Sequence, residues 1–134
     1  MAHYVFNLST GDRDEAVARL RAQTWAIGDD APHRDTLAPG DLALIYVAGA
    51  GGGFIGRAEV RTVADASPNS VELCDVERWA RTVPMETVVA RVDPKASNPL
   101  VQANAKAGFG TDVVRISAGE YEAALGASRD HQAR

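Results

Sequence analysis

Residues Gly51–Gly56, "GGGFIG", have the G-x-G-x-x-G spacing of a phosphate-binding loop, and the apolar run "DLALIYVA" leads into them. A dinucleotide site needs such a loop to open a helix, because the pyrophosphate sits on the helix N-terminus. Here Phe54, Gly56, Ala58 and Val60 alternate with Ile55, Arg57, Glu59 and Arg61, a period of two that belongs to a strand. Gly51 and Gly56 also stand at Walker spacing. Arg57 and Ala58, however, occupy the positions where lysine and a hydroxyl residue are required. The glycines therefore read as the loop of a β-hairpin, and no cofactor is expected.

A second cluster, "GDDAPHRD", gathers Asp29, Asp30, His33 and Asp35, residue types suited to general-base or metal chemistry. Its composition is that of a solvated loop. The other histidines, His3 and His131, are far from it in sequence and show no metal-ligand spacing. Ser9, Ser67, Ser70, Ser97, Ser117 and Ser128 lie in no nucleophile-elbow signature. Cys74 is the single cysteine, without a partner for an internal disulfide or spaced ligands for zinc, and reads as a small buried hydrophobe. No metal is expected, and no catalytic residue; the chain reads as a non-enzyme.

The elements that must position any site are ordinary in composition. The chain has 134 residues, 46% of them apolar and 24% charged, typical of a globular protein. A single domain is expected over residues 1–126, with 127–134, "ASRDHQAR", as a disordered tail. No apolar run approaches the ~20 residues of a membrane span and no signal-peptide pattern opens the chain. A cytoplasmic protein without a membrane partner is the expectation. The net charge of −4 argues against a strong, sequence-blind grip on nucleic acid, which needs dense lysine and arginine on one face. It leaves room for a pocket that reads one base.

Along the chain, "HYVFNL" alternates as a strand. "GDRDEAVARLRAQ" predicts a helix with Asp12 as cap and Glu15 completing a capping box. "TWAI" predicts a short strand, and "LAPGDLALIYVAG" a Pro-Gly turn before another. "FIGRAEV", the start of "VELCDVERWARTVPM", "ETVVARVD" and "TDVVRI" predict four more. Asn98–Pro99 starts a short helix that Gly108 stops. Ser117 and Glu120 form a second capping box, opening a helix closed by Gly126.

The succession "YVFNLS", helix, "TWAI", "LAPGDLALIYVAG", glycine loop, "FIGRAEV" and finally "VVRISAGEYEAAL" resembles the EVE domain family. That family belongs to the PUA-like β-barrels and is similar to the YTH readers. The resemblance covers roughly residues 3 to 125. It implies an α+β fold: a PUA-like twisted, mostly antiparallel β-barrel flanked by helices. It also implies nucleic acid as partner, DNA or RNA, with a pocket for a flipped, modified base. Trp25 falls where the related readers place an aromatic cage wall, with Ala26 beside it in "TWAI". Asn7 and Ser9 fall where the family sets polar groups against the base edge. Tyr46 is placed to line either pocket or core, and Phe54 begins the family's Phe-x-Gly-x-Ala strand. Trp79, between Arg78 and Arg81, reads as packing. YTH readers carry further cage aromatics after that strand, whereas "ADASPNS" has none. A small-ligand protein or small enzyme using the same pocket, or a protein-interaction module, are the alternatives.

Overall fold

Alternation in "HYVFNL" produces strand β1 (His3–Leu8), and side chains on both of its faces are buried because a packed layer covers each side of the sheet. The structure is a computed structural model that describes residues 1–8, 10–27, 36–49, 52–63, 70–92, 98–106 and 108–132. Ser9 and the cluster of Asp29, Asp30, His33 and Asp35 lie outside the described residues. After β1 come α1 (Arg13–Ala22), β2 (Thr24–Ala26), β3 (Leu42–Val47), β4 (Gly53–Val63), β5 (Ser70–Val83), α2 (Met85–Val89), α3 (Pro99–Lys106), β6 (Val113–Ile116) and α4 (Ala118–Gln132).

The strands form one sheet in the order β2-β5-β4-β3-β1-β6. Among the described residues only β1 and β3 run parallel, and the other four pairings are antiparallel. As the glycine spacing implied, β3 and β4 are antiparallel neighbours, and a strand rather than a helix follows Gly52.

Each face of the sheet carries its own core. On the first, Tyr4, Phe6, Ile45, Val60 and Leu73 pack with Leu20 of α1 and with Trp25. On the second, Val5, Leu44, Phe54 and Trp79 pack under Val88, Leu100 and Tyr121 of the three later helices. Each such side chain contributes about 1.5–3 kcal/mol when fully buried. Among the described residues, no helix is long and apolar enough to cross a membrane.

Both predicted caps are present, in different degrees. Asp12 Oδ1 accepts from the Glu15 N–H at 3.2 Å, but the Glu15 carboxylate turns to Arg19 and Thr10, so only half of that box forms. At α4 the box is complete: Ser117 Oγ accepts from the Glu120 N–H at 3.1 Å, and Glu120 Oε1 accepts from the Ser117 N–H at 2.9 Å.

Two expectations are corrected. The valines of "ETVVARVD" suggest a strand, yet Met85–Val89 is helical, with extended Pro84 as its N-cap. Met85 and Val88, three residues apart, are both buried in the second core, and that spacing puts them on one helical face. Packing overrides β-propensity.

The expected tail is the end of α4, which runs through Gly126 to Gln132. Ala127 and Ser128 are buried. The Gln132 amide accepts from the Arg81 N–H at 2.7 Å and donates to the Arg81 carbonyl at 2.8 Å, tying the helix end to β5. Gly126 is a seat, not a stop: a Cβ there would lie 2.9 Å from Arg91 Nη1, on the guanidinium that pairs with Asp130.

Two glycines therefore have opposite expected responses to alanine. At Gly56 a Cβ would sit 2.3 Å from the Glu77 carbonyl oxygen, where β4 and β5 slip register. Backbone cannot move aside cheaply, so Gly56→Ala should lose about 1–3 kcal/mol. Gly126→Ala displaces only a flexible guanidinium and gains roughly 0.5–1 kcal/mol of helix propensity. Thermal unfolding should show the first variant melting earlier and the second unchanged or higher. A drop in the second would restore Gly126 as a helix stop.

Candidate functional site

Period-two alternation decides which of the expected site residues meet. Phe6 packs in the first core, so Asn7, next in the strand, faces the second. The parallel register pairs Asn7 with Tyr46, and β3–β4 pairing sets Tyr46 against Phe54 across a bulge. These three are thus neighbours on adjacent strands. The Tyr46 ring meets Phe54 edge-on at 5.0 Å and Phe109 at 5.0 Å, and burial pushes its phenol pKa up.

Asn7 is 5% exposed, and its Nδ2 donates to the Thr111 carbonyl at 3.0 Å. Its Oδ1 is buried with no hydrogen-bond partner among the described residues. Beside them, a hollow of about 170 Å³ opens between α3 and β6, lined by Gln102, Lys106, Phe109 and Thr111 among others.

Trp25 is on the other face. β2 pairs it with Val71 at the edge of the sheet, and its indole, 1% exposed, stacks on Phe6 with ring centroids 6.2 Å apart. Arg19 of α1 lies over the same indole, its guanidinium carbon 4.9 Å from the ring centroid. That guanidinium is held by Glu15 at 3.1 Å and is itself partly exposed. Ala26, one residue on, is exposed on the opposite side of β2.

The structure therefore separates what the sequence grouped. Asn7, Tyr46 and Phe54 share one face, Trp25 the other, and Ala26 turns away from both cores. Trp79 packs as expected: it is buried in the second core, and its Nε1–H donates to Glu77 Oε1 at 3.1 Å. Glu77 Oε2 accepts in turn from Arg57 Nε at 3.2 Å.

Sequence reasoning passed over one buried carboxylate, Asp41, and saw only the local half of the role of a second, Glu120. Asp41 takes the Ala2 and Ala38 N–H groups, each at 2.9 Å, and so clamps the Pro-Gly turn to the start of β1. Glu120 takes the Leu100 N–H at 3.0 Å besides closing its own box, joining α3 to α4. Their signal was present in the turn "APGD" and the pair Ser117/Glu120, but not the remote partner.

Cys74 lies across the β4–β5 pair from Glu59 and donates to its carboxylate at 3.6 Å. Ligand atoms of Glu59, Cys74 and Asp75 fall within 4.8 Å of one another. Burial, then the two carboxylates, push the thiol pKa up, so at neutral pH it is held as a weak donor, the inert form.

A curved, mostly antiparallel six-stranded sheet with helices packed on both faces is a PUA-like α+β fold, and solved structures of that class align with nearly the whole chain. PSPTO5229 from Pseudomonas syringae aligns over 93% of this chain and 98% of its own, with 17% identity and a TM-score of 0.66. Human THYN1, solved in complex with 5-methylcytosine-containing DNA, aligns over 94% of this chain and 96% of its own, at 14% identity and TM-score 0.60. The Mmi1 YTH domain, solved in complex with RNA, covers 96% of this chain and 79% of its own, at 13% identity and TM-score 0.56. No family model and no curated protein matches the sequence. At these identities the likeness is one of fold.

Proposed function

We propose that this protein binds nucleic acid, takes a flipped, modified base against Trp25, and leaves that base chemically unchanged. The observation that carries the reading is the Arg19 guanidinium over the indole at 4.9 Å. A planar cation there holds the place a stacked base would take. Such a cation–π contact is worth roughly 0.5–1 kcal/mol at a partly exposed site, and base–aromatic stacking about 1–3 kcal/mol. A base in the place of the guanidinium exchanges the smaller contact for the larger, and Glu15 already holds the cation. Two structures of this fold, THYN1 with methylcytosine DNA and Mmi1 with RNA, support nucleic acid as the ligand class. In this proposal Asn7, Tyr46 and Phe54 brace the sheet from behind.

A panel of 12-nucleotide DNA and RNA strands, single and duplex, with and without one 5-methylcytosine, tests the proposal by fluorescence anisotropy. One buried methyl is worth about 0.8 kcal/mol, so a preference of roughly fourfold for the modified strand is expected. Mass spectrometry should return every oligonucleotide unaltered. Equal affinity across the panel removes base reading, and no binding at all removes the nucleic-acid assignment.

A further inference from the structure

At the N-terminal end of α1, two adjoining hollows share Arg13 and Ile55. The larger, of about 360 Å³, is lined by Arg13 and Val17 of α1 and by Ile55, Arg78, Trp79 and Ala80 of the β4–β5 ribbon. The smaller, of about 80 Å³, adds Thr82. Cleft volumes near 300 Å³ begin the range of small-molecule sites, enough for a single nucleotide unit.

Neither cationic group of this cleft has a carboxylate partner among the described residues, unlike three other arginines. Arg19, Arg57 and Arg91 are each neutralised by a carboxylate, from Glu15, Glu77 and Asp130 respectively. Arg13 donates instead to the neutral Thr82 hydroxyl. Arg78 is exposed and has no hydrogen-bond or ion-pair partner among the described residues. Asp12 and Asp14 flank Arg13 in sequence, but neither lines the cleft, and Asp12 is turned to its capping bond. Two uncompensated guanidinium groups thus stand over an apolar floor of Val17 and Ile55.

We propose that this cleft is a phosphate subsite, holding a backbone phosphate of the bound strand between Arg13 and Arg78 with its sugar on Val17 and Ile55. The proposal rests on the nucleic-acid reading above and adds to it where the strand runs. Guanidinium forks match phosphate oxygens two at a time. A chain of net charge −4 gains no grip from its overall field, so its phosphate contacts must be local. Arg13 and Arg19 are six residues apart on one helix, about 9 Å in rise. Arg78 stands seven residues along β5 from Val71, the register partner of Trp25, about 23 Å of strand, so a bound strand with its base over Trp25 reaches the cleft several nucleotides on.

The test is the salt dependence of oligonucleotide affinity for the parent, Arg13→Ala/Arg78→Ala, and Arg13→Lys/Arg78→Lys. The double alanine variant should bind modified and unmodified strands equally more weakly, by about five- to twentyfold at low salt. Its log–log salt slope should fall by about 0.7–0.9, one phosphate contact's worth. The lysine variant should keep most of the slope, and all three proteins should melt alike because both side chains are exposed. A parent that binds with a slope the alanine variant shares overturns the subsite and leaves base reading standing. If the parent binds no strand, the nucleic-acid reading falls, and thymidine 3′,5′-bisphosphate decides the cleft alone. Saturable shifts of the Arg13 and Arg78 side-chain N–H resonances in NMR titration would uphold it, and their absence would overturn it.

Discussion

Glu120→Ala is expected to lose about 3–5 kcal/mol of folding stability. The side chain is 2% exposed, and its two oxygens accept from backbone N–H groups of different elements, Ser117 at 2.9 Å and Leu100 at 3.0 Å. Hydrogen bonds to a charged group contribute about 1.5–3 kcal/mol each, and alanine leaves both donors buried without an acceptor. A small domain has only about 5–15 kcal/mol to lose. Thermal unfolding followed by circular dichroism should drop by roughly 10–15 °C at about 3 °C per kcal/mol. Ser117→Ala gauges the local part: it removes one cap bond and should cost about 1 kcal/mol. If both variants melt alike, the contact with α3 contributes nothing, and Glu120 is only a helix cap.

That contrast also marks where sequence stops informing. The Ser117–Glu120 box was legible because its partners are three residues apart, and local spacing is what a sequence displays. The bond from Glu120 to Leu100 spans twenty residues and has no pattern. Strands with strict alternation, β1 and β4, were legible for the same local reason. "ETVVARVD" was not, because two buried positions three apart outweigh the preference of valine for strands. Gly126 misled because a glycine in a helix looks the same whether it ends the helix or makes room for Arg91.

The site was legible in its parts and not in its assembly. Asn7, Trp25, Tyr46 and Phe54 all lie at or near strand positions that the resemblance singled out. Which face each one takes depends on register, and register depends on pairings made across the chain. One residue of offset between Phe6 and Asn7 sends the first to Trp25 and the second to Tyr46. Arg19 was invisible as a partner of Trp25 because helix α1 and strand β2 meet only after the chain turns at Gln23, whose φ of 58° is left-handed. Arg13 and Arg78, far apart in sequence, line one cleft for the same kind of reason.

Trp25→Ala should reveal which of two jobs the indole does, because each predicts a different measurement. As a stacking platform it should lose about 1–3 kcal/mol of oligonucleotide binding, roughly 5- to 150-fold in affinity. As a core residue, 1% exposed and stacked on Phe6, it should lose about 3–5 kcal/mol of stability. The geometry calls for both losses, since one ring contacts Phe6 and the Arg19 guanidinium together. Trp25→Phe separates them: it keeps most of the apolar volume and should melt within a few degrees of the parent, yet bind several-fold more weakly on its smaller ring. Arg19→Ala supplies the complementary test. Removing the guanidinium uncovers the indole, so affinity for a methylated strand should hold or rise while that of Trp25→Phe falls. Arg115→Ala, an exposed position on β6, should change neither quantity. If Trp25→Phe binds as tightly as the parent and Arg19→Ala binds far more weakly, the cation is the contact and the indole only its support. The base would then have to be sought on the arginine.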